Sequence, residues 1–227
     1  MNFGPIIFLG VLLTFACSWG GFILAPQLQL GRQGLVKTVA DDTLYPAPRS
    51  GLAQQGAAVY RSLGCASCHS QQVRDQDVPR WGARYTVAQD YLRDQPVQWG
   101  SQRVGPDLAN VGARLPDANW HLIHLYNPRT TVKGSPMPRY GFLFEKRPVR
   151  GAKSPEALQF PEGFGPEPGH EIVPAEEARA LVAYLLSLKY DTALFEAPMP
   201  QQEKPAEADP GEPQEKAPAA ETQPSVK

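Results

Sequence analysis

The sequence predicts a mainly α protein, with one N-terminal transmembrane helix followed by a helical domain with long irregular loops. Three observations carry that expectation. Residues 3–25 hold no charged side chain. Two stretches, 50–64 and 175–189, repeat apolar residues at helical spacing. The 24 prolines among 227 residues favour long ordered loops and a disordered end over a dense helical bundle. That length accommodates one domain of about 100–150 residues with accessories. Net charge is −1 and unevenly spread, with seven acids against three bases from Glu196 onward. Neither part carries the charge expected of a nucleic-acid binder. Three cysteines imply no disulfide framework.

Residues 1–26 read as an uncleaved anchor. At 1.5 Å per residue the uncharged run covers about 34 Å, enough for a hydrocarbon core of about 30 Å. A cleavable export signal would want a basic start and a small-residue cleavage site, whereas the first basic residue is Arg32. Cys17, in mid-run, reads as a small apolar residue facing lipid or another helix. Residues 27–49 read as a linker, kept extended by Tyr45-Pro46-Ala47-Pro48. The domain is expected over 50–195. Its first helix has Ser50 as N-cap, Leu52, Gly56, Val59, Tyr60 and Leu63 on one stripe, and Gly64 as its stop. Its last helix has Pro174 in the first turn and Glu176 and Glu177 where the helix dipole favours acids. Ala178, Leu181, Val182, Leu185 and Leu188 form its stripe, with Tyr184 beside them. Gly56 against Tyr184 is the expected crossing of the two helices. A short helix is expected over 117–126, ended by Asn127-Pro128. Residues 148–173 read as a loop, and 196–227 as a disordered Pro/Glu-rich tail.

Just past the first helix stands Cys65-Ala66-Ser67-Cys68-His69. Two thiols three positions apart, with a histidine directly after, fit covalent attachment of one c-type haem. Each sulfur would form a thioether to one vinyl group of the porphyrin, and His69 would reach the iron. A redox-active Cys-x-x-Cys and half of a zinc site are the alternatives, the latter needing His121 and His124 as further ligands. Of the three methionines, Met1 is the start and Met199 lies in the tail. Met137, flanked by prolines in a stiff loop, is therefore the candidate sixth ligand. His121 or His124 would instead make a bis-histidine haem; otherwise they are polar groups at a helix surface or contact. His170, in a Pro/Gly-rich stretch, reads as solvated. In Gly105-Pro106-Asp107-Leu108 the proline carbonyl is expected against the proximal imidazole. A first and a last amphipathic helix flanking Cys-x-x-Cys-His are the plan of a class I cytochrome c domain. Such attachment takes place on the outer side of the bacterial membrane. The expected placement is a single-pass inner-membrane protein with its haem domain in the periplasm.

Four segments carry a more specific resemblance. They are Cys65-Ala66-Ser67-Cys68-His69-Ser70-Gln71, Gln98 to Leu108, Trp120 to Arg129, and Met137-Pro138-Arg139-Tyr140. In order and spacing they resemble the membrane-anchored mono-haem subunit II (FixO or CcoO) of cbb3-type cytochrome c oxidases, over about residues 20–145. The chain departs from that pattern after Gln71 and after Tyr140. The resemblance implies a relay that passes electrons from other c-type cytochromes to a haem-copper catalytic subunit. It implies that Cys65 and Cys68 hold the haem, His69 is proximal, Met137 distal, and Pro106 orients His69. It also implies that Trp99, Leu108 and Tyr140 line or flank the pocket.

On this reading the chain does no bond chemistry itself, and any enzyme activity belongs to the complex. An independent membrane-anchored electron carrier, or a subunit like the small one of nitric oxide reductase, is the alternative. A haem sensor or peroxidase would need a vacant or displaceable sixth position.

Overall fold

The computed structural model describes residues 3–31, 33–78 and 80–199. The expected tail disorder from residue 200 onward, and Met1, lie outside these residues.

The uncharged N-terminal run is one long helix of three parts: α1 (Gly4–Trp19), a π-helical turn (Gly20–Leu24) and α2 (Ala25–Leu30). The π turn has a local cause. Pro26 has no N–H and its ring crowds the carbonyl four residues back, so the hydrogen-bond ladder slips by one residue. The Ala25 N–H accordingly reaches Gly20 O. The span Gly4–Gln29, 26 residues long, is apolar enough to cross a membrane and none of it packs inside the protein. Phe8, Phe15 and Phe22 stand 66%, 71% and 80% exposed. A helix apolar on every side and buried on none needs a non-aqueous surrounding.

The segment read as a linker is folded against the domain instead. β1 (Val36–Lys37) and β2 (Leu44–Tyr45) form a small antiparallel ribbon. Tyr45 is buried and its hydroxyl donates to Asp90 at 2.7 Å. Thr38 bridges Leu194, Gln89 reaches back to Gln33, and Arg49 pairs with Asp94. The extended, proline-set backbone is present, but side chains at 33, 45 and 49 and a backbone bridge at Thr38 dock it.

α3 (Gly51–Ser62) begins at Ser50, whose hydroxyl accepts from Ala53 N. It ends where Gly64 turns left-handed at φ 69°. α7 (Glu176–Ser187) buries Ala178, Ala180, Leu181, Val182, Tyr184 and Leu185. Pro174 is not in its first turn; it closes the preceding strand, and Ala175 is the N-cap. α3 and α7 cross at Gly56. A Cβ there would overlap the carbonyl of Ala180 and come within 2.7 Å of Tyr184 Cβ. Tyr60 and Tyr184 pack beside this point, ring centroids 5.3 Å apart. A second close approach sets Gly112, in α4 (Val111–Arg114), against the Leu186 backbone.

α5 (Ala118–Tyr126) is capped by Asp117 and followed by α6 (Pro128–Thr131). Residues 148–173, read from sequence as a loop, carry part of a ribbon. β3 (Phe144–Pro148) pairs antiparallel with β4 (His170–Pro174), which is nearly all buried. Ile172 of β4 joins Ile123 and Leu158 in a small second cluster. The short apolar pair Ile172-Val173 was hidden by the glycines and prolines before it.

Loops between α3 and α4 are held by a buried ion pair. Arg84 and Asp90, both fully buried, meet at 2.7 Å. Arg84 also donates to Thr192 O and Tyr85 O, and Asp90 accepts from Tyr45 and Val87 N. With these bonds made, the charges are solvated by protein; removing one partner from such a pair costs about 3–5 kcal/mol.

Gly56→Ala is expected to destabilise the domain by about 1–3 kcal/mol or more, because backbone on the facing helix cannot yield as a side chain can. Far-UV circular dichroism during thermal unfolding in detergent measures the loss. A melting point equal to that of wild type would show that the crossing is not tight.

Candidate functional site

The chain leaves α3 through left-handed Gly64 and winds a single 3-10 turn, Cys65–Ser67. The bonds Cys68 N to Cys65 O (3.2 Å) and His69 N to Cys65 O (3.0 Å) close it. The two cysteines are not joined in a disulfide. Cys65 is half-buried against the core; Cys68 is exposed. Burial pushes the Cys65 thiol up to about 11. A redox-active Cys-x-x-Cys wants the opposite shift. Among the described residues no three His, Cys, Asp or Glu side chains converge to hold a metal ion, so a zinc site has no ligand set there.

Residues 98–108 run alongside this turn and clamp it by backbone. Gln71 N donates to Trp99 O (2.8 Å), Ser101 N to Ala66 O (3.2 Å), Gly105 N to Cys68 O (2.9 Å) and Leu108 N to Ser70 O (2.8 Å). The approach requires glycine at two places. Gly100, at φ 76°, lies against the carbonyls of His69 and Ala66, and Gly105 lies against the His69 ring, where a Cβ would fall within 3 Å of three ring atoms. The imidazole thus rests on bare backbone. Its Nδ1 lies 2.8 Å from Pro106 O. A carbonyl only accepts, so Nδ1 carries the proton and Nε2 keeps its lone pair.

Side chains lock the clamp. Asp107 is fully buried and accepts from Ser70 Oγ (2.5 Å), Gln72 N (2.8 Å) and Ala109 N (2.8 Å). Arg103 donates to Ser70 Oγ (2.8 Å), to Gln72 O (2.6 Å) and to both oxygens of Asp77, and lies 4.7 Å above the Trp81 ring. Sequence reasoning named Asp107 only as part of a turn and missed Ser70 and Arg103. Their partners lie 26–37 residues away along irregular chain, where no periodicity announces them.

The other expected residues gather around the same place. Cys65, Ala66, Leu108, Met137 and Tyr140 are each partly buried and pack against one core cluster built on Tyr60, Leu125, Leu181 and Tyr184. Burial, and then the thiols of Cys65 and Cys68, raise the Tyr140 hydroxyl above its usual value, which sets this ring near the cysteines. Trp99 is 50% exposed and meets Tyr91 in a T-shaped contact, ring centroids 5.6 Å apart. Beneath the site Tyr60 Oη and Gln71 Nε2 are buried without partners. Half-buried apolar walls, one oriented imidazole and orphaned polar atoms fit a haem.

The remaining histidines are placed differently from each other. His121 is buried, and its Nε2 is 2.8 Å from Leu115 O. His124 stacks on Trp120, ring centroids 4.8 Å apart, and its Nδ1 lies 2.5 Å from Thr131 Oγ1. His170, read as solvated, belongs to β4 and has a buried, unpartnered Nδ1.

A crossed helix pair, with Cys-x-x-Cys-His following the first helix and a proline carbonyl on its histidine, defines a class I cytochrome c domain carried on a membrane anchor. More narrowly, the chain belongs to the family described as cytochrome c oxidase, mono-heme subunit/FixO, which matches residues 4–160. The match takes in the N-terminal helix and extends past Tyr140, beyond the range in which sequence motifs alone resembled that family. No curated protein matches the chain.

Burial lowers His121, and burial with the charges of His121 and His69 lowers His124 to about 4. Unfolded histidine takes up its proton near pH 6.5, so between that pH and about 4 the unfolded chain binds more protons. Stability contributed by these neutral rings is therefore present above pH 6.5 and lost as pH falls toward 4. Denaturant midpoints measured across this window are expected to fall, and the His121→Gln, His124→Gln double variant to flatten the slope.

Proposed function

We propose that this chain is an electron relay of a cbb3-type terminal oxidase. It would pass electrons through one covalent c-type haem from other c-type cytochromes toward a haem-copper catalytic subunit. The observation that supports this best is the His69 arrangement. Gly105 lets backbone lie against the ring, Pro106 O fixes the Nδ1 tautomer, and Nε2 is left for iron. Cys65 and Cys68 hold the haem by thioethers and Met137 supplies the sixth ligand. Trp99, Leu108 and Tyr140 line or flank the pocket. When bound, the haem supplies a reversible one-electron site, and a thioether opposite histidine raises its potential.

The protein's own part is to hold two ligands still. The clamp of residues 98–108 fixes His69 from one side, and prolines at 136 and 138 stiffen the segment bearing Met137. Ligands that stay put between redox states keep reorganisation small. With His69 and Met137 both given to the iron, the haem would offer no open place for a substrate, and oxygen reduction would belong to the partner. Covalent haem attachment supports an N-terminus in the cytoplasm and the haem domain in the periplasm of the bacterial inner membrane.

Met137→Ala is expected to abolish the far-red thioether-to-iron absorption band. It should let the ferrous iron bind carbon monoxide and lower the potential by on the order of 0.1 V or more. An unchanged band would refute Met137 as ligand. Cys65→Ala with Cys68→Ala should leave no haem after denaturation in a pyridine haemochrome assay. A mild-detergent pull-down of the full chain should bring a copper-containing, multi-helix partner with oxidase activity. Recovery of the chain alone, without that activity, favours an independent carrier.

A further inference from the structure

Trp120 to Arg129 is the most distinctive stretch of the sequence that the reading above leaves without a task. α5 and α6 account for its shape, but not for a half-buried histidine stacked on tryptophan. The bonds made by two consecutive residues of α5 supply a reason. His124 Nδ1 lies 2.5 Å from the hydroxyl of Thr131, the last residue of α6. The carbonyl of the next residue, Leu125, accepts from Tyr140 N at 2.9 Å. Thr131 is where the chain enters the loop bearing Met137, and Tyr140 is where it leaves. One turn of α5 therefore grips both ends of that loop.

We infer that His124 is a positioning residue for Met137, tethering the entry of its loop through Thr131 as Leu125 tethers the exit through Tyr140. The inference rests on the reading of Met137 as sixth ligand.

Three features give the tether stiffness. α5 is itself anchored, with Ile123 and Leu125 buried. The Trp120 ring lies within 7° of parallel to His124 and limits rotation of the imidazole. Between the tethers the loop has little slack: Ser135 is buried, Ser135 N donates to Val132 O (3.1 Å), Met137 N donates to Ser135 Oγ (3.3 Å), and Pro136 and Pro138 fix their own backbone angles. Burial keeps His124 neutral at pH 7, and a neutral ring pairs with the Thr131 hydroxyl in either tautomer, Nδ1 accepting from it or Nδ1–H donating to it. In the second case the hydroxyl's own proton goes to Pro128 O, at 3.2 Å. With the hydroxyl gone, Nδ1 loses its partner in either case, and the entry of the loop is free to shift relative to α5.

The test uses the full-length, haem-loaded protein in detergent. Thr131→Val keeps side-chain volume and removes the hydroxyl; Thr131→Ser keeps it. His124→Leu removes the ring nitrogen; His124→Gln keeps a polar group that can accept or donate. Three readouts are followed: the far-red thioether-to-iron band, the midpoint potential, and the rate of carbon monoxide binding to ferrous protein. Thr131→Val and His124→Leu are each expected to lose at least half the band, lower the potential and bind carbon monoxide at least tenfold faster. The double variant should be no worse than His124→Leu alone, and Thr131→Ser and His124→Gln should resemble wild type. A tether that served only to hold α6 would lower melting temperature and leave all three readouts unmoved. Thr131→Val with wild-type band, potential and carbon monoxide rate overturns the inference. Should His124→Leu fail to fold, the isosteric Thr131→Val decides alone. A wild-type protein without the band would instead strike at Met137 as ligand, so the two failures are distinguishable.

Discussion

The domain depends on one contact between two backbones. α3 and α7 meet at Gly56 with no side chain between them, and Ala180 offers its carbonyl where a Cβ would otherwise stand. That contact fixes the line along which α3 ends, and Gly64 and Cys65 follow within three residues of Ser62. The position of both thiols is thus inherited from a helix crossing. Packing energy is concentrated at the same point, where Tyr60 and Tyr184 meet and Leu181 and Leu188 are fully enclosed. The two rings meet tilted, at 59°, and an aromatic pair at such a separation contributes about 0.5–1.5 kcal/mol beyond its buried area.

Regular structure carries the thiols to their place, and irregular structure holds the imidazole there. No helix or strand contains residues 98–108. They are ordered because each backbone group facing the Cys65–His69 turn finds a partner, and because Asp107 and Arg103 consume the polar groups that the turn leaves over. A buried carboxylate satisfied this completely does not need a cation in contact; Arg103 Nη2 stands 3.7 Å from it. The same logic accounts for Arg84 and Asp90, which do the equivalent work for residues 84–91 at the other end of the loop region.

Much of this was legible in the sequence. Helical spacing located α3 and α7, Gly56 marked their crossing, and proline and glycine punctuated the ends of α3 and α5. The Cys-x-x-Cys-His motif and the Gly-Pro turn are each readable over a few residues, and the fold brings them together, with Pro106 O on His69 Nδ1. What stayed hidden was long-range and aperiodic. Ser70 finds Asp107 and Arg84 finds Thr192 across dozens of residues. β4 was obscured by glycines and prolines that belong to the loop before it. The docking of residues 33–49 depends on Tyr45 and Arg49 finding Asp90 and Asp94, and extended chain rich in proline looks the same whether it is free or bound. His124 reads as an ordinary helix residue until Thr131 is placed beside it.

The stapled segment between anchor and domain has a further meaning. A redox module on a loose leash explores a volume set by the leash, and its transfer rate depends on how often it arrives. Here the leash is shortened to the few residues between α2 and Gln33, since Gln33, Thr38, Tyr45 and Arg49 are each fastened to the body. A haem held at His69 would then stay within a short reach of the lipid surface, since the fastened segment leaves little chain to pay out.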